Sequence, residues 1–96
     1  MMFIVNLRFS HNKSQASAHM EGHNQWIKRG FDDGIFLMVG SLQPGFGGSV
    51  IAHGISRDEL ESRVKEDPFV AEDVVTAELL EIEPKRADER LSFLMS

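Results

Sequence analysis

Two helical patterns set among four short apolar runs, in the order β-α-β-β-α-β, predict an α+β fold, the ferredoxin-like plait. Right-handed crossovers turn that order into a four-stranded antiparallel sheet with both helices on one face. A third observation concerns the opposite face. Ile4, and either Phe36 and Met38 or Ile35, Leu37 and Val39, must point away from the helices. An apolar face that no helix covers is most simply buried by a second copy packed sheet to sheet, so the expected assembly is a homodimer, a dimeric α/β barrel.

Each element follows from its own pattern. Phe3, Val5, Leu7 and Phe9 alternate with Asn6 and Arg8 between them, a strand signature. The polar stretch Ser10 to Ser17 ends the strand, and Ser14 or Ser17 is the expected cap of the helix that follows. In that helix Met20, His23, Asn24, Ile27 and Phe31 form one stripe, and Gly30 with Asp32-Asp33-Gly34 is expected to stop it. Ile35 to Val39 is too short and too uniformly apolar for a helix and reads as a buried strand. Gln43 to Gly48 is a turn, and Ser49 to His53 returns as the second strand of a hairpin. Ser56 and Glu59 form a capping box, with Ile55 able to staple onto Leu60. Pro68 pushes Asp67 out of the α region and keeps this helix short. A turn or short helix near Ala71 follows. Then Val75, Ala77 and Leu79 alternate with Thr76, Glu78 and Leu80 in a last strand that Pro84 ends. The core spans residues 2–84; residues 85–96 are a tail, either a loose end or an arm packed on a partner.

Ninety-six residues make a single domain, residues 1–96. A chain this short buries only about two-thirds of its unfolded surface, which again favours a second subunit. The chain has no cysteine, hence no disulfide and no thiolate chemistry. No apolar run approaches the roughly 20 residues of a membrane span, and the N-terminus lacks a basic signal region, so a cytoplasmic protein is expected. The net charge of −5 is unevenly placed: residues 66–96 carry nine Asp/Glu against three Lys/Arg. That acidic third argues against nucleic acid as a partner.

Two residues stand out as candidates for chemistry. His23 is polar on an apolar helix stripe, where it is either a core histidine satisfied by a backbone carbonyl or a general acid/base. Asp67 before Pro68 is either a helix terminator or a carboxylate held in place to partner that histidine. His19 and His23 have metal-compatible spacing, but with no third ligand, no HExxH and no cysteine, no metal site is expected. Gly45-Phe46-Gly47-Gly48 leads into a strand, not a helix, so it is a hairpin turn and not a phosphate loop. Trp26 is assigned to packing.

The N-terminal strand, His23 in the first half of its helix, "LMVGSLQP", "GSVIAHG" and above all "EDPFV" together resemble the YCII-like (YciI) family over roughly Phe3 to Pro84. The resemblance implies a ferredoxin-like subunit paired as a dimeric α/β barrel. It also implies an active site around the helix histidine and the aspartate of the DPF-type motif, here His23 and Asp67. Most members have no established activity. A related enzyme of chlorinated-aromatic breakdown removes chloride from a hydroxylated ring, with the pair as acid/base. Gly40, Ser41 and Phe69 fall in the matched motifs and are expected at the binding pocket. The family often has Gly-Pro where this chain has Gly40-Ser41, with its proline delayed to Pro44.

Two functions are therefore expected. The first is a small-molecule enzyme running lyase- or dehydrochlorinase-like elimination on a His23–Asp67 pair, without a cofactor. The second is a non-catalytic ligand-binding or accessory dimer in which His23 is only a core residue.

Overall fold

The computed structural model describes residues 1–95. Strands β1 (Met2–Phe9), β2 (Phe36–Leu42), β3 (Gly47–His53) and β4 (Val75–Ile82) form one antiparallel sheet in the order β2-β3-β1-β4. Helix α1 (Ala16–Asp32) connects β1 to β2; α2 (Arg57–Lys65) and a single turn, α3 (Pro68–Ala71), connect β3 to β4. This is the ferredoxin-like plait. Phe3, Val5 and Leu7 of β1 and Val50 and Ala52 of β3 are buried with Trp26, Leu60, Val64 and Phe69 of the helices, so the core lies between the sheet and one helical layer. Among the described residues no helix is long and apolar enough to cross a membrane.

The ends of the elements follow local chemistry. Ser56 caps α2: its hydroxyl accepts the Glu59 N–H at 3.2 Å and donates to Glu59 Oε1 at 3.1 Å. α1 begins differently from the expectation. Neither Ser14 nor Ser17 caps it, because a 3-10 turn, Lys13–Gln15, feeds straight into the helix, and backbone carbonyls of Asn12 and Lys13 take the N–H groups of Gln15 and Ala16. Gly30 does not stop α1 either. The helix runs to Asp32, and the turn is made by Gly34 at φ 73°.

The buried stripe of α1 is rotated from the expected one. Trp26 and Gly30 are buried, whereas Met20 and Phe31 stay about 40% exposed (43% and 40%). The bulkiest apolar side chain sets the roll of the helix, and the helix-facing ring of β2 then needs room at Gly30.

β2 settles which of its residues face the helices. Phe36 pairs with Ala52, but the next pair is Met38 with Ile51, so Leu37 is an extra residue in a bulge. Phe36 and Val39 thus both face the helices and Met38 does not, a split between the two sets expected from strict alternation. The outer face carries an unbroken apolar row across all four strands: Met38, Ile51, Ile4 and Leu80. After β4 the chain reaches a kinked 3-10 segment, Glu89–Met95; its Leu94 is buried, and the Phe93 ring meets His53 edge-on with centroids 5.3 Å apart.

A Cβ on Gly30 would lie 2.1 Å from Cδ2 of Phe36. Gly30→Ala gains about 1 kcal/mol of helix propensity but overpacks this contact, which typically costs about 1–3 kcal/mol. A lowered melting temperature by calorimetry is expected; an unchanged or raised one would mean the Phe36 ring has room to move.

Candidate active site

The site begins with Trp26. Its indole N–H donates to the backbone carbonyl of Arg63 at 2.8 Å, and its ring meets Phe36 edge-on with centroids 5.0 Å apart. Arg63 lies in the last turn of α2, where its carbonyl also accepts the Glu66 N–H at 3.1 Å, and the indole adds a second donor that fixes the end of α2 against α1. The Arg63 guanidinium adds an ion pair to Asp33 beyond the end of α1, at 2.9 Å. His23 lies one turn before Trp26, and Asp67 four residues after Arg63. The clamp therefore delivers the two to each other.

Pro68 dictates the local backbone. It cannot continue α2, and it holds Asp67 extended at φ −66°, ψ 121°. Asp67 becomes the N-cap of α3, with Pro68 as its first helical residue. Oδ1 of Asp67 accepts the Phe69 N–H at 3.0 Å, and the same oxygen lies 2.8 Å from Nδ1 of His23. Asp67 is fully buried and the His23 side chain is 13% exposed. Oδ2 of Asp67 is buried and makes no hydrogen bond among the described residues.

With Asp67 ionised it can only accept, so the proton of the bond resides on Nδ1 of His23. Nε2 is then the acceptor, and it has no protein partner among the described residues. The His23 ring stacks on Phe69, with centroids 3.9 Å apart and planes 3° from parallel. The Phe69 face fixes the plane of the imidazole. The ring is thus held by a hydrogen bond on one nitrogen and by a face, which leaves the other nitrogen free to exchange a proton.

His23 forms part of the wall of a cavity of about 310 Å³. Of the expected site residues, Gly40, Ser41 and Phe69 line the same cavity, while Asp67 sits behind His23. Sequence pattern marks the remaining lining only as strand, stripe or turn: Leu7, Phe9, Met20, Asn24, Val39, Gly47, Gly48, Ser49 and Val75. Their convergence depends on strand register and on the bulge at Leu37. Met20, Val39 and Phe9 line the cavity and are also partly exposed, so its rim is apolar. Among the described residues no three His, Cys, Asp or Glu side chains converge on one point.

No family model and no curated protein matches the chain. Among solved structures it is similar to 5-chloro-2-hydroxyhydroquinone dehydrochlorinase from Burkholderia phenoliruptrix AC1100 in complex with 2,5-dihydroxybenzoquinone. The TM-score is 0.69 at 16% identity, over 85% of this chain and 93% of that one. At this identity the likeness is one of fold.

The close approach of α3 to α1 runs through Gly22, next to His23, and Pro68, next to Asp67. A Cβ on Gly22 would stand 3.0 Å from Cγ of Pro68. Gly22→Ala is expected to push α3 outward by a few tenths of an ångström and loosen the His23–Asp67 bond, although alanine favours the helix by about 1 kcal/mol. Nitrogen NMR of the His23 ring reads this as a shift from one protonated nitrogen, Nδ1, toward a mixture of tautomers. A ring unchanged in Gly22→Ala would show that the contact does not set the pair.

Proposed function

We propose that this chain is a YCII-like small-molecule enzyme, with His23 as general acid/base and Asp67 as the carboxylate that orients it. The observation that carries the reading is the 2.8 Å contact between His23 Nδ1 and the fully buried Asp67, on the wall of a ligand-sized cavity. A hydrogen bond to Asp67 fixes the tautomer of His23 and with it the direction in which Nε2 points. In the proposed reaction, Nε2 removes a proton from an activated carbon of the substrate, one beside a carbonyl or the keto tautomer of a hydroxyl. The electron pair released forms a new double bond, and a leaving group departs from the neighbouring carbon with its own pair. The imidazolium, backed by Asp67 and the Phe69 ring, then returns its proton to solvent. The structurally similar dehydrochlorinase, named for a chlorinated hydroxyhydroquinone, supports elimination from a small hydroxylated ring as the reaction class. Gly40, Ser41 and Phe69 would contact the substrate.

The same reading includes a homodimer through the outer sheet face. Met38 there is 54% exposed and Leu80 43%, and with Ile4 and Ile51 they form one row across the sheet. Such a stripe is costly to leave in water, and a two-fold axis through it would bury the stripes of both copies.

Two measurements test the proposal. The first follows chloride release from 5-chloro-2-hydroxyhydroquinone and deuterium exchange into small enolisable ketones. Wild type should react above the buffer rate in at least one of these, and His23→Asn should be slower by about 10²–10⁴-fold with its circular dichroism unchanged. Equal rates for the two proteins would remove His23 from the chemistry and favour the non-catalytic binding dimer. The second is sedimentation. Wild type should be dimeric at micromolar concentration and Ile51→Lys at least about tenfold weaker in association; a monomeric wild type would contradict the sheet-to-sheet assembly.

A further inference from the structure

The cavity beside His23 arises from a change in side-chain size between two neighbouring rows of the sheet. Val39, Val50, Val5 and Leu79 pair across the four strands on the helix-facing side and fill the space above them. The next helix-facing row is Ser41, Gly48, Leu7 and Ala77, small at three of its four positions. A Cβ on Gly48 would approach the Gly40 carbonyl to 3.3 Å, so this position has little room to grow. The cavity of about 310 Å³ is at the lower end of the roughly 300–1,000 Å³ typical of ligand sites, enough for one ring-sized molecule.

The polarity of the lining is as informative as its size. Among the described residues no Lys, Arg, Asp or Glu lines the cavity. The charge of a protonated His23 is already matched by Asp67 at 2.8 Å, so no uncompensated positive charge is on offer. Ser49 spends its hydroxyl on Asn6, donating to its Oδ1 at 2.9 Å. Ser41 and Asn24 are the other polar side chains of the lining, and neither has a side-chain partner among the described residues. Ser41 rises from the sheet and His23 descends from α1. The two therefore reach a ligand from opposite walls.

We propose that the site selects an uncharged molecule with polar groups at two ends, one presented to His23 and the other hydrogen-bonded by Ser41. The inference rests on the acid/base reading for the first of those ends. Ser41 is exposed at the rim, so a carboxylate or phosphate at the second end would keep part of its water but lose the rest with no counter-charge in return, which is unfavourable. A neutral carbonyl, amide or hydroxyl is matched by a serine hydroxyl, which both donates and accepts.

The test compares 4-hydroxybenzamide with 4-hydroxybenzoate, two probes of the same shape that differ in charge at one end. Dissociation constants come from NMR titration of the full chain, followed at the His23 and Trp26 ring signals. Wild type should bind the amide about three- to tenfold more tightly than the carboxylate, whose hydration is only partly lost at the exposed Ser41. Ser41→Ala should weaken the amide about three- to tenfold, and Ser41→Lys should reverse the preference. The Lys variant keeps the test independent of lost folding, because its expected outcome is a gain of carboxylate binding. Equal affinities in wild type, a preference that neither substitution moves, or failure of the amide to bind would each overturn the proposal. None of these results bears on whether His23→Asn slows turnover, so this inference and the acid/base reading fail separately.

Discussion

The hydrogen bond from the Trp26 indole to the Arg63 carbonyl is the constraint on which the rest of the helical layer depends. It joins the middle of α1 to the last turn of α2 with one side chain, at 2.8 Å, in the buried core. The demand comes from the indole: a buried N–H must find an acceptor, and the Arg63 carbonyl, which also takes the Glu66 N–H, has a second lone pair to offer. Once it forms, the roll of α1 is set by Trp26. Gly30 faces Phe36, and His23 is turned toward the segment that leaves α2. The exposed positions of Met20 and Phe31 are the other side of the same choice.

Asp67 and Pro68 then do two things with one stretch of backbone. Proline ends α2 and starts α3, and the aspartate caps α3 through the Phe69 N–H. That alone would justify an aspartate here. The cap uses the same oxygen that meets His23, while Oδ2 is buried without a hydrogen bond among the described residues. A cap does not require such burial, since exposed serines and threonines cap helices without it. The excess burial makes sense for a carboxylate whose interaction with an imidazole is strengthened by removing water.

Much of the architecture was legible in local chemistry. The alternation Phe3-Val5-Leu7, the capping box at Ser56 and the stop at Pro68 each name an element without help from the rest of the chain. The unpaired outer face was also visible, because Ile4 sits between two residues that must be buried. What could not be read was relative placement. Trp26 looked like ordinary packing, and nothing local says that it reaches Arg63, 37 positions away. The absence of a serine cap on α1 reflects a preceding turn that uses backbone carbonyls instead. As for the site, His23 and Asp67 were singled out by their odd surroundings and by resemblance, and the structure brings them within 2.8 Å. Gly48 was invisible as part of a cavity, because its meaning lies in facing Leu7 and Ser41 across the strands.

The bulge at Leu37 has a consequence for how such a chain tolerates changes in length. Beyond it, β2 is out of phase with the alternation that begins at Phe36: Val39 and Ser41 turn inward, and Met38, Gly40 and Leu42 turn outward. Removing the extra residue would restore plain alternation from Phe36 and leave every later pair as it is, with Met38 opposite Ile51 and Ser41 opposite Gly48. The serine would stay at the cavity and the methionine in the outer row. A single-codon deletion at Leu37 is thus a change the sheet can absorb, whereas a deletion beyond Met38 would have no bulge to consume and would turn the rest of the strand over. The tolerance for lost length in this strand is confined to one position.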